Sequence, residues 1–104
     1  MDAMRALVIS SKDNVATALQ DIAAGAMVAA RLGQEEVQLQ ASEKIPFGFK
    51  VALADIAKGE AIYKYGEVIG LASKPIKKGE LVHIHNVEGT RGRGDLAAAG
   101  GGKQ

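Results

Sequence analysis

The chain has 104 residues and a mass of 10.8 kDa, which corresponds to one small domain that buries about two thirds of its unfolded surface. Its 13 lysine and arginine residues nearly balance 12 aspartate and glutamate residues, so the strong positive charge of a nucleic-acid-binding protein is missing. The absence of cysteine excludes disulfides, cysteine-ligated zinc and thiol catalysis, and it fits a reducing compartment.

The apolar content is ordinary for a globular protein at 47%, but aromatic residues make up only 4%. The core must therefore consist of Val, Ile, Leu and Ala. The apolar run near the N-terminus, about five residues long, is too short for a signal-peptide core or a membrane span. We expect a cytoplasmic protein that binds neither membranes nor nucleic acids.

Short strands are predicted along most of the chain, because apolar residues alternate with polar ones or form brief apolar runs between turn residues. The segments are "RALVI" (5–9), "EVQLQ" (36–40), "FKVALADI" (49–56), "EVIGLAS" (67–73) and "ELVHIHNV" (80–87). These segments predict an all-β fold with little helix.

One short helix is predicted near the N-terminus, over "DNVATALQDI" (13–22). Asp13 or Asn14 can cap its first turn. Its apolar residues would share one helical face: Val15, Ala18, Leu19 and Ile22.

A recurrent phrase predicts three tight turns. "DIAAGAMV" (21–28), "DIAKGEAI" (55–62) and "PIKKGELV" (75–82) each contain Ile, two residues, Gly and then a strand start. The glycine in each can adopt a positive φ before the chain enters the next strand. The spacings between the phrases are unequal, which excludes a solenoid.

The histidines His83 and His85 lie in the last predicted strand and are the only two in the chain. On a strand they would share one face with Cα atoms about 6.6 Å apart, so both imidazoles could bind one divalent ion. Two ligands do not complete a metal site. The alternative is a pair of half-exposed histidines at a strand edge.

Arg91 and Arg93 follow in the glycine-rich loop "GTRGRGD". Guanidinium groups bind carboxylate or phosphate through two hydrogen bonds, and flanking glycines let the backbone approach an anion. The alternative is a solvated basic loop. Asp95 could orient a histidine or pair with one of these arginines.

The phrase "KYGEVIG" (64–70) places Lys64 and Tyr65 beside a glycine turn. In an extended chain these two side chains would point to opposite faces, so that at most one would line a given pocket. Tyr65 is either a half-buried structural residue or an acid catalyst. The chain contains no nucleophile elbow, P-loop or dinucleotide fingerprint.

Together, "DNVATAL.DI..G", "FGFKVALADIAKGE", "IYKYGEVIG", "I..GELVHIHN" and "TRGRGDL" span nearly all of residues 8–96. In this order they resemble the N-terminal SAF domain of the altronate and galactarate dehydratase family, and the separate small subunit of the related sulfolactate sulfo-lyase. The resemblance implies a β-clip fold, a long bent β-hairpin folded back on itself. We therefore predict a SAF domain over residues 1–96 and a flexible C-terminal tail over 97–104.

The resemblance also implies the chemistry: a proton is removed next to a carboxylate, and water or sulfite leaves the neighbouring carbon of a sugar acid or short hydroxy acid. It implies a separate large dehydratase subunit as partner and a divalent metal (Fe, Mn or Mg) bound jointly with that subunit. A homo-oligomer is compatible with the sequence.

The matching phrases assign roles to individual residues. The implied catalytic residues are His83, His85 and Lys64, and the two histidines are also the implied metal ligands. The implied substrate-binding residues are Asn86, Tyr65, Arg91 and Arg93. One departure concerns Phe49, because the family usually has a histidine at that position. If that histidine is a ligand or an acid-base group, its loss puts independent metal binding and activity in doubt.

A second function remains open, in which the SAF domain binds a sugar acid or another protein and performs no chemistry. SAF domains also serve as carbohydrate-binding and chaperone-like parts, and a fold does not determine a function.

Overall fold

A computed structural model describes residues 3–89 of the chain. This part contains nine short strands and no helix. The strands are β1 (Met4–Leu7), β2 (Val15–Ala18), β3 (Met27–Leu32), β4 (Glu35–Gln40), β5 (Lys50–Ala52), β6 (Ala61–Lys64), β7 (Glu67–Ala72), β8 (Leu81–Val82) and β9 (Val87–Glu88). The all-β prediction is therefore confirmed, and the arrangement fits the SAF fold. Residues 3–89 include no long apolar helix of the kind that crosses a membrane.

The strands form two sheets. The larger has the order β4-β3-β1-β2-β5-β8, and the smaller has the order β6-β7-β9. β1 pairs in parallel with β3, whereas the other strand pairs are antiparallel. The pairing of β5 with β8 places Lys50 opposite Val82, which joins the middle of the chain to its histidine segment.

Four glycine turns organise these sheets. The three predicted turns are confirmed, because Gly25, Gly59 and Gly79 have φ angles of 86°, 88° and 90° and a strand begins two residues after each. A fourth turn, "IPFG" (45–48), has the same geometry at Gly48 with a φ of 86°. In all four, the residue after glycine donates its N–H to the carbonyl oxygen three residues earlier, at 3.0 Å. This is the pattern of a type II turn.

The isoleucines of these turns pair two by two. Ile22 and Ile45 exchange both backbone hydrogen bonds at 2.9 Å, and Ile56 and Ile76 do the same at 2.7 and 2.8 Å. All four side chains are almost fully buried. Each pair therefore fixes two turns against each other and anchors them in the hydrophobic interior.

Two hydrophobic cores result. The first core contains Ala6, Val8, Ala16, Ala18, Ile22, Val28, Ala30, Leu39, Ala41, Ile45 and Val51. The second core contains Val15, Ala52, Ile56, Ile62, Ala72, Ile76 and Val82. Every member is Ala, Val, Ile or Leu, as the composition predicts.

The predicted helix over residues 13–22 is wrong, because residues Val15–Ala18 form β2. Val15 belongs to the second core and Ala16 to the first, since neighbouring strand residues point to opposite faces. A strand buried on both faces shows no polar-apolar alternation, so its apolar residues can fall at helical spacing by coincidence.

The turn at Gly79 lies against the segment that follows β4. A Cβ atom at this position would collide with the carbonyl oxygen of Gln40 and would lie 3.4 Å from the amide nitrogen of Ser42. At Gly59, which has nearly the same φ, a Cβ would meet nothing within 4 Å. Substitutions at the two positions therefore distinguish the energetic cost of the backbone conformation from the cost of a steric clash.

We predict that Gly59→Ala lowers the free energy of unfolding by about 1–2 kcal/mol, because alanine is strained at positive φ. Gly79→Ala should cost about 1–3 kcal/mol more, because the added methyl group also collides with the neighbouring backbone. Urea unfolding of both variants measures the difference. Equal losses would contradict the proposed clash at Gly79.

Candidate functional site

The two histidines lie in a turn, so the prediction that they share one face of a strand is wrong. β8 ends at Val82, and residues 83–86 turn before β9 begins. The Asn86 N–H donates to the carbonyl oxygen of His83 at 3.0 Å, which closes this turn. His83 is half-buried, whereas His85 is exposed.

Asn86 holds this turn from inside. Its side chain is 3% exposed, accepts a hydrogen bond from the His83 N–H at 2.9 Å and donates one to the Leu81 carbonyl oxygen at 2.8 Å. Its own carbonyl oxygen accepts from the Ser73 N–H at 2.9 Å. Buried backbone groups need such partners, and an asparagine amide can satisfy a donor and an acceptor together. Asn86 therefore fixes the backbone from which His83 projects.

Phe49 packs against His83. Because Lys50 lies opposite Val82, Phe49 and His83 are cross-strand neighbours, and their ring centroids are 4.5 Å apart at an angle of 50°. Phe49 also packs against the first core. The phenyl ring therefore supports one side of the imidazole and restricts its orientation.

A cavity of about 330 Å³ opens beside this pair. It is lined by Lys50, Ile69, His83, Ile84, Val87, Glu88 and Gly89. The pKa of the Lys50 ammonium group is lowered, first by its partial removal from water and second by the positive charge of Lys64. Lys50 therefore shares the cavity with His83 and lies close enough to Lys64 to be affected by its charge.

Lys64 is the last residue of β6, and Tyr65 and Gly66 form the turn that leads to β7. Tyr65 has a φ of 59° and Gly66 a φ of 76°, so the chain is not extended here and the opposite-face geometry of an extended chain does not apply. Tyr65 is 57% exposed, and the Lys64 Nζ atom lies 4.8 Å from the centroid of its ring. This distance is typical of a cation–π contact.

Asp13, which precedes β2, binds the same turn through its carboxylate. Its carboxylate accepts hydrogen bonds from the N–H groups of Ile9 (3.3 Å), Ser10 (3.1 Å), Tyr65 (3.1 Å) and Gly66 (2.8 Å). Burial by itself would raise the pKa of Asp13. The four hydrogen bonds together have the larger effect, with the bond from Gly66 contributing most, so the pKa lies below its ordinary value. The ionised carboxylate therefore stabilises this turn.

Asn14 adds a second connection beside Asp13. Its Oδ1 atom accepts from the Tyr63 N–H at 2.8 Å, and its Nδ2 atom donates to the Ala61 carbonyl oxygen at 3.0 Å. The capping role predicted for these two residues is wrong, although both bind backbone N–H groups as a cap would. They bind β6 and its turn, which lie about fifty residues further along the chain.

Comparison with known proteins identifies the family. Residues 4–90 match the altronate/galactarate dehydratase SAF domain. The chain belongs to this SAF-domain family.

The chain is similar to altronate dehydratases of Bacillus subtilis and Escherichia coli. It is 40% identical to the first over 80 residues and 42% identical to the second over 83 residues, which are 77% and 80% of the chain. These segments are only 15% and 16% of the two dehydratases, so the chain spans about a sixth of their length.

The chain is also similar to (2R)-sulfolactate sulfo-lyase subunit alpha of Chromohalobacter salexigens. The two are 40% identical over 55 residues, which are 53% of this chain and 58% of that subunit. The SAF domain therefore occurs both in long dehydratases and in a shorter polypeptide that is named as a subunit.

The described residues do not form a complete metal site. Within residues 3–89, no three His, Cys, Asp or Glu side chains converge in a way that could hold an ion. His83 and His85 lack a third ligand from this part of the chain, and a divalent ion in a protein normally has at least three. Residues 3–89 therefore do not supply a complete set of ligands for the implied metal.

Some predicted residues lie outside the structural description. Arg91, Arg93 and Asp95, and the tail over 97–104, fall beyond residue 89. Their predicted roles in anion binding remain predictions.

Lys50 lines this cavity but was not among the predicted site residues. Lys50 follows the fourth glycine turn, and this turn could have been found from its Ile-x-x-Gly spacing. Its position opposite Val82 depends on pairing between strands about thirty residues apart, for which the sequence carries no local signal. A larger hollow of about 880 Å³, lined by residues of β1, β3 and β4, contains none of the predicted site residues.

We predict that Asp13→Asn lowers the free energy of unfolding by about 1–2 kcal/mol at pH 7, because four hydrogen bonds lose a charged acceptor. The pKa of Asp13 is lowered on folding, so this stabilisation is complete above about pH 4 and disappears as the pH falls through the folded pKa. Urea unfolding at pH 7 and at about pH 2.5–3 tests the pH dependence.

Asp21→Asn is the control, because the Asp21 carboxylate accepts one N–H, that of Phe47 at 2.8 Å. It should cost less at pH 7. A gap between wild-type protein and Asp13→Asn that stays constant with pH would contradict the role of the charge.

We predict that Asn86→Ala costs about 2–4 kcal/mol, because the His83 N–H and the Leu81 carbonyl oxygen both lose a buried partner. The NMR signals of the His83 imidazole should also move. Gln38→Ala, at an exposed position on β4, should stay within about 0.5 kcal/mol and leave those signals in place. Unchanged His83 signals in Asn86→Ala would show that Asn86 does not position this residue.

Proposed function

We propose that this protein is the small SAF-domain subunit of a lyase that eliminates water or sulfite from a sugar acid or short hydroxy acid. A separate, larger chain would supply the rest of the active site. One observation carries the proposal: over 55 residues, 53% of its length, the chain is 40% identical to a polypeptide that is itself named subunit alpha of a sulfo-lyase. Similarity to two altronate dehydratases supports the hydro-lyase alternative.

Loss of water needs two proton transfers, and loss of sulfite needs only the first of them. A base removes the proton from the carbon next to the carboxylate, and the electron pair of that C–H bond passes to the carboxylate, which becomes an enediolate. The pair then forms a double bond to the neighbouring carbon as hydroxide or sulfite leaves that carbon with the electrons of its bond, and an acid protonates a departing hydroxide to water. Histidine exchanges protons readily near neutral pH, which favours His83 and His85 for one of these transfers.

Each of the other site residues has a proposed role. Lys64 stabilises the negative charge that develops on the carboxylate as the proton leaves. Asn86 holds the histidine turn, and Tyr65 contacts substrate from the neighbouring turn. Arg91 and Arg93 bind the carboxylate or sulfonate of the substrate through paired hydrogen bonds.

The surface around the cavity supports a partner that covers it. Ile84, between the two histidines, is 82% exposed, and Ile69, which also lines the cavity, is 39% exposed. Exposed apolar side chains that lie together favour burial against another surface. A larger chain that covers these residues would also remove water from the reacting groups.

A divalent ion would need ligands from the same partner. No trio of ligands forms within residues 3–89, and Phe49 stands where the family resemblance implies a histidine. We therefore propose that any Fe, Mn or Mg in the complex is held jointly by both chains.

The test is co-expression with a large dehydratase or sulfo-lyase chain from the same genome. The purified complex is then assayed for dehydration of altronate and galactarate and for release of sulfite from sulfolactate. Metal analysis of the complex accompanies the assays. We predict activity on one of these acids that neither chain shows alone.

In the active complex, the double substitution His83→Gln, His85→Gln should lower kcat by about 100-fold or more, because loss of an acid-base group typically has an effect of this size. Gln34→Ala, at an exposed position between β3 and β4, is the control and should leave kcat unchanged. Full activity of the double variant would contradict a catalytic role for the histidines. Formation of the complex and binding of the acids without any turnover would favour a binding module.

A further inference from the structure

Lys50 differs in its position from the lysines of the glycine turns. It begins β5, directly after the turn at Gly48, and its strand pairs with β8 on one side and β2 on the other. It is half-buried and lines the cavity together with His83. Lys58, Lys77 and Lys78, by contrast, are exposed in the glycine turns.

Two effects act on the ammonium group of Lys50. The larger is partial burial, which removes water from it, and the second is the positive charge of Lys64. Both effects disfavour the charged form and lower its pKa. An ammonium group in this position would be stabilised by a negatively charged ligand.

The cavity has the size and lining for such a ligand. About 330 Å³ is at the lower end of the range for small-molecule sites. Its walls combine the apolar side chains of Ile69, Ile84 and Val87 with the polar groups of Lys50 and His83. Glu88, in β9, also lines the cavity. A short polyhydroxy acid could place its acidic group near Lys50 and its carbon chain towards the histidine turn.

We infer that Lys50 binds the acidic group of the substrate, a carboxylate or a sulfonate, in the cavity that it shares with His83, and that Lys64 adds to the positive potential there. The inference rests on the proposed function in identifying the anion as substrate. It adds a residue of this chain to the site and assigns to it the recognition of the group that both substrate classes share.

The first experiment uses the whole chain by itself. Amide signals are followed by NMR during titration with galactarate, with sulfolactate and with inorganic sulfate, which separates carboxylate from sulfonate and from a simple anion. Shifts should concentrate on β5 and on residues 82–89. Lys50→Met should weaken binding about tenfold or more, because a partly buried charge-assisted contact is lost.

Two variants serve as controls. Lys50→Arg keeps the positive charge and should retain most of the affinity, whereas Lys58→Met removes an exposed lysine outside the cavity and should bind as the wild-type protein does. Thermal unfolding of each variant shows whether it is folded. If Lys50→Met does not fold, the amide shifts of the wild-type protein and the affinity of Lys50→Arg still test the inference.

The second experiment uses the active complex with the larger chain. Lys50→Met should raise KM more than it lowers kcat, because the residue binds a group that keeps its charge throughout the reaction. An unchanged KM in an active complex, or amide shifts located away from β5 and residues 82–89, would overturn the inference and leave the proposed function standing. Lys50-dependent binding without lyase activity in any complex would contradict the proposed function and support the anion site.

Discussion

The exchange of backbone hydrogen bonds between paired isoleucines is the constraint on which the rest of this structure depends. Ile22 with Ile45, and Ile56 with Ile76, each join two glycine turns and bury their side chains in one of the two cores. The turn after Ile45 leads into β5, and the turn after Ile76 leads into β8. The pairing of these two strands brings Phe49 and Lys50 to the histidine segment, so the site is a direct consequence of the turns.

Side-chain carboxylates and amides add hydrogen bonds to those of the backbone in this domain, whose cores consist of small aliphatic residues. Asp21 accepts the Phe47 N–H at 2.8 Å and Asp55 accepts the Lys78 N–H at 2.9 Å, which gives the two isoleucine pairs the same additional hydrogen bond. Asp13 and Asn86 do the equivalent for the two turns that carry Tyr65 and His83. Without helices in the described part, polar side chains satisfy the loop N–H groups and thereby orient the site residues.

Local sequence patterns predicted the features that depend on local physics. The Ile-x-x-Gly spacing predicted three turns because only glycine adopts positive φ freely, and the shortage of aromatic residues predicted an aliphatic core. The fourth turn was not predicted, because Pro46 and Phe47 stand where the other three turns have small or charged residues. The predicted helix over residues 13–22 was wrong because β2 lies between the two cores and is buried on both faces. The predicted histidine strand was wrong because the buried side-chain amide of Asn86 binds the backbone of a turn. The contact of Phe49 with His83 arises from long-range strand pairing, which no local pattern encodes.

The contact between Phe49 and His83 also bears on how chemistry could be divided between two chains. A phenyl ring 4.5 Å from the imidazole gives it an apolar neighbour on one side, which can neither exchange a proton nor bind an ion. His83 also lines the cavity, where Lys50 supplies positive charge and Ile84 is exposed. A site of this kind can bind and orient an acidic substrate from one side. The groups that complete an elimination would then come from the larger partner chain that we propose.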